Sequence, residues 1–268
     1  MTDWLDELNL DFEGPSVAMS VRKLGDRPWL LTDEFMDEEL LLKEELSNDK
    51  TKEVFIASAD TEQAGDNVLS LIRKSGIQLT PINCAHPLQK AGLSVQEDLC
   101  LMQRTAEGWI LQAASLSFPS RWQLQEKVGK NLGHIHKPVE GYEKHLSKKV
   151  DNFFDRLGDE PVWRRNWFIH PDNSLYQPQR PINGDPIIGF GEIGEKLFVR
   201  SERQTLQHLD IPGWILFTIR VQRTPLKNLL NRRKEEFRKW IFEAPDSHHD
   251  HKGLVSDQVS EIQKALVN

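Results

Sequence analysis

Cysteine is scarce: Cys84 and Cys100 are the only two in 268 residues. Two thiols exclude a disulfide framework and cannot supply the four ligands of a protein-held iron–sulfur cluster, so a reducing, cytoplasmic setting is expected. No apolar run is long enough to span a membrane. The opening Met1-Thr2-Asp3-Trp4-Leu5-Asp6-Glu7 is acidic and lacks the basic start and apolar stretch of a secretory signal. A basic excess is also missing: 34 Lys and Arg stand against 41 Asp and Glu, a net charge of -7. General nucleic-acid binding is thereby disfavoured, because phosphate-binding surfaces carry a basic excess or stripe. The richest basic stretch, Arg220 to Lys239, interleaves acids at helical spacing in Arg232-Arg233-Lys234-Glu235-Glu236, as a solvated, ion-paired helix face does. No Gly/Ser- or Pro-rich linker divides the chain, which favours one core with extensions.

The composition that remains, 38% hydrophobic and 28% charged, is that of a globular protein able to bury a sizeable core. Residues 1–90 read as a mostly helical extension: Asp33 to Leu46 is acidic and amphipathic, and Thr61 to Lys74 repeats Ala64, Val68, Leu71 and Ile72 before Gly76. From Val95 the pattern changes. Val95 to Gln103 and Trp109 to Phe118 are apolar-rich runs joined by Thr105-Ala106-Glu107-Gly108, the signature of a hairpin. Short helical turns broken by Gly129, Gly133 and Pro138 follow. A longer helix over Tyr142 to Leu157 then carries the stripe Leu146, Val150, Phe153, Phe154 and Leu157. Val162 to Ile169, Lys196 to Leu206 and Trp214 to Gln222 read as three more strands. Two strands, helices, then three strands is the order of a PAS domain. The expected fold class is therefore α+β: a PAS-like five-stranded antiparallel sheet covered on one face by helices over 91–224, with helical extensions over 1–90 and 225–268. Pro225 starts the helix Leu226 to Phe242, and Ser256 to Val267 closes the chain.

Several phrases carry a resemblance. They are Val95-Gln96-Glu97-Asp98-Leu99-Cys100-Leu101, Ser117-Phe118-Pro119-Ser120-Arg121-Trp122, and Lys127-Val128-Gly129-Lys130-Asn131-Leu132 followed by Ile135-His136-Lys137-Pro138-Val139. Further on come Val150-Asp151-Asn152-Phe153-Phe154, Arg164-Arg165-Asn166-Trp167, Ser201-Glu202-Arg203-Gln204-Thr205-Leu206 and Phe217-Thr218-Ile219-Arg220. In this order they resemble the haem-dependent oxidative N-demethylase family. The resemblance implies a noncovalent haem b and oxidation of a small secondary amine such as dimethylamine to methylamine and formaldehyde. Dioxygen and electrons from a separate flavin or iron–sulfur reductase would drive it. The chain departs from the family at Pro138-Val139-Glu140, where Pro-Val-Pro is common.

Noncovalent haem needs an axial donor, an apolar slot and cations or hydroxyls for its propionates; the Cys-x-x-Cys-His of covalent attachment is absent. His136 occupies the family phrase and is the expected axial ligand, with His134 and His145 as alternatives. Arg164, Arg203 and Arg220 lie on three expected strands, and an arginine fork suits a propionate or a buried carboxylate such as Glu202 or Glu97. Trp122, Trp167 and Trp214 are candidates to wall the slot, although tryptophans mostly pack cores. Glu202, ahead of Glu97 and Asp98, is the candidate carboxylate beside the amine, with Arg220 grouped with it as catalytic. His170 reads as a surface histidine at a strand exit, and Ser247-His248-His249-Asp250-His251 as a polar loop without a designed metal site. Gly189-Phe190-Gly191-Glu192-Ile193-Gly194 matches a dinucleotide fingerprint in letters only, since Pro186 precedes it and a strand-like run follows. Besides the enzyme reading, a haem-based gas or redox sensor and a haem-free scaffold stay open, as does the oligomeric state.

Overall fold

The computed structural model describes residues 3–13, 20–136 and 147–267. In chain order the elements are β1 (Arg22–Lys23), α1 (Met36–Asp49), α2 (Thr51–Val54), β2 (Phe55–Ala57), α3 (Glu62–Lys74), α4 (Pro87–Gly92), β3 (Asp98–Thr105) and β4 (Gly108–Ser115). Then follow α5 (Leu132–His136), α6 (Ser147–Asp155), β5 (Val162–His170), α7 (Ile193–Lys196), β6 (Phe198–His208), β7 (Trp214–Pro225), α8 (Leu226–Glu243), α9 (Asp246–His251) and α10 (Ser256–Val267).

The strands make one open antiparallel sheet in the order β1-β5-β6-β7-β3-β4-β2. The five long strands are those expected from alternation in the sequence. The two extra ones are edge strands of two and three residues whose pairing runs through backbone groups and leaves no hydropathy pattern. The β3–β4 turn is closed by Gly108, whose φ of +105° only glycine adopts without strain, and by the Thr105 hydroxyl, which accepts from Glu107 N–H and donates to Gly108 O. β3 starts at Asp98 rather than Val95, because Gln96 and Glu97 turn their side chains to the N-terminal segment, accepting from Asp33 N–H and Leu31 N–H.

Successive strand residues point to opposite faces, and residues paired in register share a face. On the first face, Leu99, Leu101, Ala113 and Leu216 pack under Val68 and Ile72 of α3 and Leu88 and Ala91 of α4. At the other end of that face, Trp167, Ile169 and Val199 meet Leu229, Phe237, Trp240 and Ile241 of α8, Ile262 of α10, and Leu5 and Leu8 near the N-terminus. On the second face, Cys100, Met102, Leu111, Leu206, Ile219 and Val221 pack with Leu132 of α5 and Phe154 of α6. Helices therefore cover both faces, where a single covered face was expected: the helices outside 91–224 bury the first face.

Ionic groups lock the N-terminal segment onto the sheet. Lys43, fully buried in α1, pairs with Asp98 at 3.4 Å and donates to Glu97 O. Arg220 of β7 pairs with Asp33 at 2.6 Å and Glu39 at 2.9 Å. Removing one member of such a network leaves an uncompensated buried charge.

Candidate functional site

The second face changes character toward β5 and β6. There Arg164 and Asn166 of β5 lie opposite Gln204 and Glu202 of β6 in the strand register. Glu202 is buried, and one of its oxygens accepts from Gln204 Nε2 at 2.9 Å. Arg164 is partly buried; burial lowers its pKa, and Glu202 opposes that shift. Among the described residues Arg164 has neither a hydrogen-bond partner nor an ion pair.

A segment distant in sequence closes this patch along the edge of β5. Lys252, after α9, donates to Asn166 Oδ1 at 3.0 Å, and its ammonium lies 4.9 Å from the Trp167 ring centre. Burial and Arg164 pull its pKa down to about 7 against the opposing charge of Glu202. His251 is pushed down to about 4 by burial and by the charges of Lys252 and Arg164. The backbone fixes the segment, since Ile169 N–H donates to Lys252 O at 2.9 Å. Gly253, at φ +84°, comes so close that a Cβ there would sit 3.3 Å from Ile169 O.

The other expected site residues are distributed differently. Arg203 faces the opposite side, donating to Pro28 O at 2.6 Å and Trp29 O at 3.3 Å. Arg220 lies on that side too, in its pairs with Asp33 and Glu39, so Glu202 and Arg220 are not brought together. Trp167 is a core residue of the first face: its indole N–H donates to Asn9 O at 2.8 Å, and it meets Trp240 edge-on. Trp214 packs with the α3 and α4 cluster. Trp122 is half-buried against the second-face core. His134 is exposed and, through Nδ1, lies 2.9 Å from Asn131 Oδ1. It lines a hollow of about 560 Å³ with Arg104, Trp109, Asp151 and Asp155. His136 ends α5, but its side chain lies outside the described residues, as does His145.

Two expectations need correction. His170 is not at the surface: only 2% exposed, it places Nδ1 2.9 Å from Gln177 Oε1, and burial with Arg121 and Arg200 nearby lowers its pKa to about 3. The 247–251 stretch is not a polar loop but lies in α9, with His248 and His249 buried and His249 edge-on to Trp240. Histidine is apolar enough to pack against indole once neutral, which hydropathy counting does not register. The glycine-rich run 189–194 leads into the single-turn helix α7, and Phe190 N–H is already taken by Glu261 at 2.9 Å. A carboxylate stands where a pyrophosphate would have to bind. Among the described residues no group of three or more His, Cys, Asp or Glu side chains could hold a metal ion by itself. No helix of the described residues is long and apolar enough to cross a membrane.

Sequence reasoning missed Lys252 and Arg200. Neither sits in a motif, and Lys252 meets Asn166 across 86 positions of chain. Arg200 donates to Ser120 Oγ and to the carbonyls of Phe118, Pro119, Ser174 and Leu175, stitching two loops across the second face.

Fold and patch together define a mixed α+β protein with a cationic, incompletely neutralised site on one sheet face. The family model described as haem-dependent oxidative N-demethylase, alpha subunit-like, matches residues 62–259, and the chain belongs to that family. No curated protein matched the chain. The family is haem-dependent by name, and the residues of the second face suit such a group. Arg164, without a partner among the described residues, shares its sheet face with apolar Leu206, Phe217, Ile219 and Val221, which pack with Val150 and Phe153 of α6, and a haem edge and face need a cation and an apolar wall of this kind.

Proposed function

We propose that this protein is a haem b-dependent oxidative N-demethylase acting on a small secondary amine of the dimethylamine type. The amine and dioxygen, with two electrons and two protons, give methylamine, formaldehyde and water. The electrons come from a separate flavin or iron–sulfur reductase, as the words "alpha subunit-like" in the family description favour. The reading also takes the core over 91–224 as PAS-like, with extensions over 1–90 and 225–268. Its support is the run of two long strands, α5 and α6, then three long strands.

The observation that carries the proposal is Arg164, without a partner among the described residues, on the second face inside the matched span. In this reading Arg164 holds a propionate, His136 is the axial ligand with His134 and His145 as alternatives, and Trp122 walls the slot. The haem, when bound, supplies oxygen binding and one-electron chemistry. The chain's own residues position the amine. Glu202, buried and held by Gln204, accepts a hydrogen bond from the amine N–H and favours its cationic form. Arg203, Arg220 and Trp167, on the far face, hold the fold.

Protein produced with a haem precursor should show a Soret band that shifts on reduction and with carbon monoxide, and should release formaldehyde from dimethylamine when supplied with a reductase. His136→Ala should lose haem or change the ferric spectrum. A folded, colourless protein would leave the scaffold reading; haem without formaldehyde release would leave the sensor.

A further inference from the structure

Arg164 and Lys252 bring two cations to one patch, and the buried carboxylate that both of them feel is Glu202. Arg164 and Asn166 are two residues apart on one strand face, so their backbones are roughly 7 Å apart. Lys252, hydrogen-bonded to Asn166, therefore sits one strand step from Arg164. Among the described residues neither cation makes an ion pair. His251, held well below its ordinary value, contributes no charge near neutral pH, and it adds none to Glu202's side. Arg164 and Lys252 are each partly buried, and two such cations against one carboxylate leave the patch short of an anion.

Lys252 is not a loose surface group that happens to fall here. Its carbonyl accepts from Ile169 N–H, its N–H donates to His248 O and His249 O, and the left-handed Gly253 lets the chain turn against β5. The segment lies beyond the last strand of the sheet, yet inside the span that the family model matches.

We propose that Lys252 is a cofactor-binding residue: with Arg164 it forms the cationic edge of the second-face site, each receiving one carboxylate of the bound haem, an inference that rests on the functional reading above. The C-terminal segment thus completes the site rather than merely capping the sheet. The carboxylates belong to the cofactor and not to the substrate.

The test is absorbance titration of haem-depleted, full-length protein with haem and with haem dimethyl ester, which lacks both carboxylates. Wild type should bind haem more tightly than the ester. Lys252→Met should weaken haem binding roughly 10- to 100-fold, the worth of a charge-assisted hydrogen bond, and should lose part of the preference over the ester. Lys252→Gln, which keeps a donor for Asn166, should show the same loss, and Lys252→Arg should recover most of the affinity. Removing a partly buried charge that has no ion pair among the described residues should leave the thermal midpoint of the haem-free protein unchanged or higher. A lower midpoint with unchanged haem affinity would make Lys252 purely structural and overturn the inference alone. Equal binding of haem and ester by wild type would do the same, by assigning the cations to another carboxylate. Failure of wild type to bind haem at all would instead sink the functional reading, and this inference with it.

Discussion

Two arginines on the same sheet face have opposite surroundings. Arg200 is 2% exposed, and burial pulls its pKa down to about 10, but each arm of its guanidinium ends on an oxygen. Arg164 has no such partners among the described residues. An arginine surrounded by acceptors is part of the fold, because deleting it strands them; one without partners contributes little to stability and is free for a ligand. Arg200→Met should therefore cost about 3–5 kcal/mol in urea unfolding, the range for breaking a buried charged network. Arg164→Met should change stability by no more than about 1 kcal/mol while weakening haem binding. Comparable losses for the two would show that Arg164 has a structural partner. Composition could not separate them: both are arginines on alternating strands, and only the covering loops at 118–120 and 174–175 decide which one is satisfied.

At the scale of elements, close approach of helix and sheet governs the first face. α4 ends at Gly92, where a Cβ would fall 2.1 Å from Ser115 Oγ and 2.5 Å from Ser115 Cβ on β4. Neither helix nor strand can yield cheaply, since Ser115 is paired with both Leu99 and Phe55. Gly92→Ala should destabilise the protein by about 1–3 kcal/mol, the cost of overpacking, despite the better helix propensity of alanine. A stabilised variant in chemical denaturation would mean that α4 stands further from the sheet. The long strands and α3, α8 and α10 were legible because each repeats an apolar period over several residues, whereas α1, read as amphipathic, buries Glu39, Lys43, Leu46 and Ser47 rather than an apolar stripe. β1, β2 and α9 were not: the first two are too short to show a period, and α9 carries its buried face on histidines. The site was legible in part. Arg164 and Glu202 lie in family phrases on neighbouring strands, whereas the opposed directions of Arg203 and Arg220 follow only from register, and Lys252 only from the path of the C-terminal segment.

For the whole molecule, the edge of β5 is where the chain's two ends meet. Leu5 and Leu8 share a cluster with Trp167, Trp240 and Ile262, while the α9–α10 turn is hydrogen-bonded to Ile169. The histidines along this edge are held uncharged by burial. His170 keeps a pKa of about 3 in the fold against an ordinary 6.5, and His251 about 4. In the unfolded chain both take up a proton below about pH 6.5, whereas in the fold they do not, so the unfolded state binds more protons throughout that window and acid favours it. The contribution of these two histidines is thus fully present above about pH 6.5 and is lost as pH falls, with a slope of about 1.4 kcal/mol per pH unit for each, His170 over the window down to about 3 and His251 over the narrower one down to about 4. Lys252 acts with the same sign at higher pH: between about 7 and 10.5 the unfolded chain keeps a proton that the fold gives up, so stability rises with pH there as well. Urea midpoints of wild type should fall steadily from about pH 6.5 to 4.5. His170→Asn, which keeps a donor toward Gln177 but cannot titrate, should flatten that dependence by close to one proton's worth. If the two proteins lost stability in parallel, the acid sensitivity would belong to carboxylates elsewhere and not to His170.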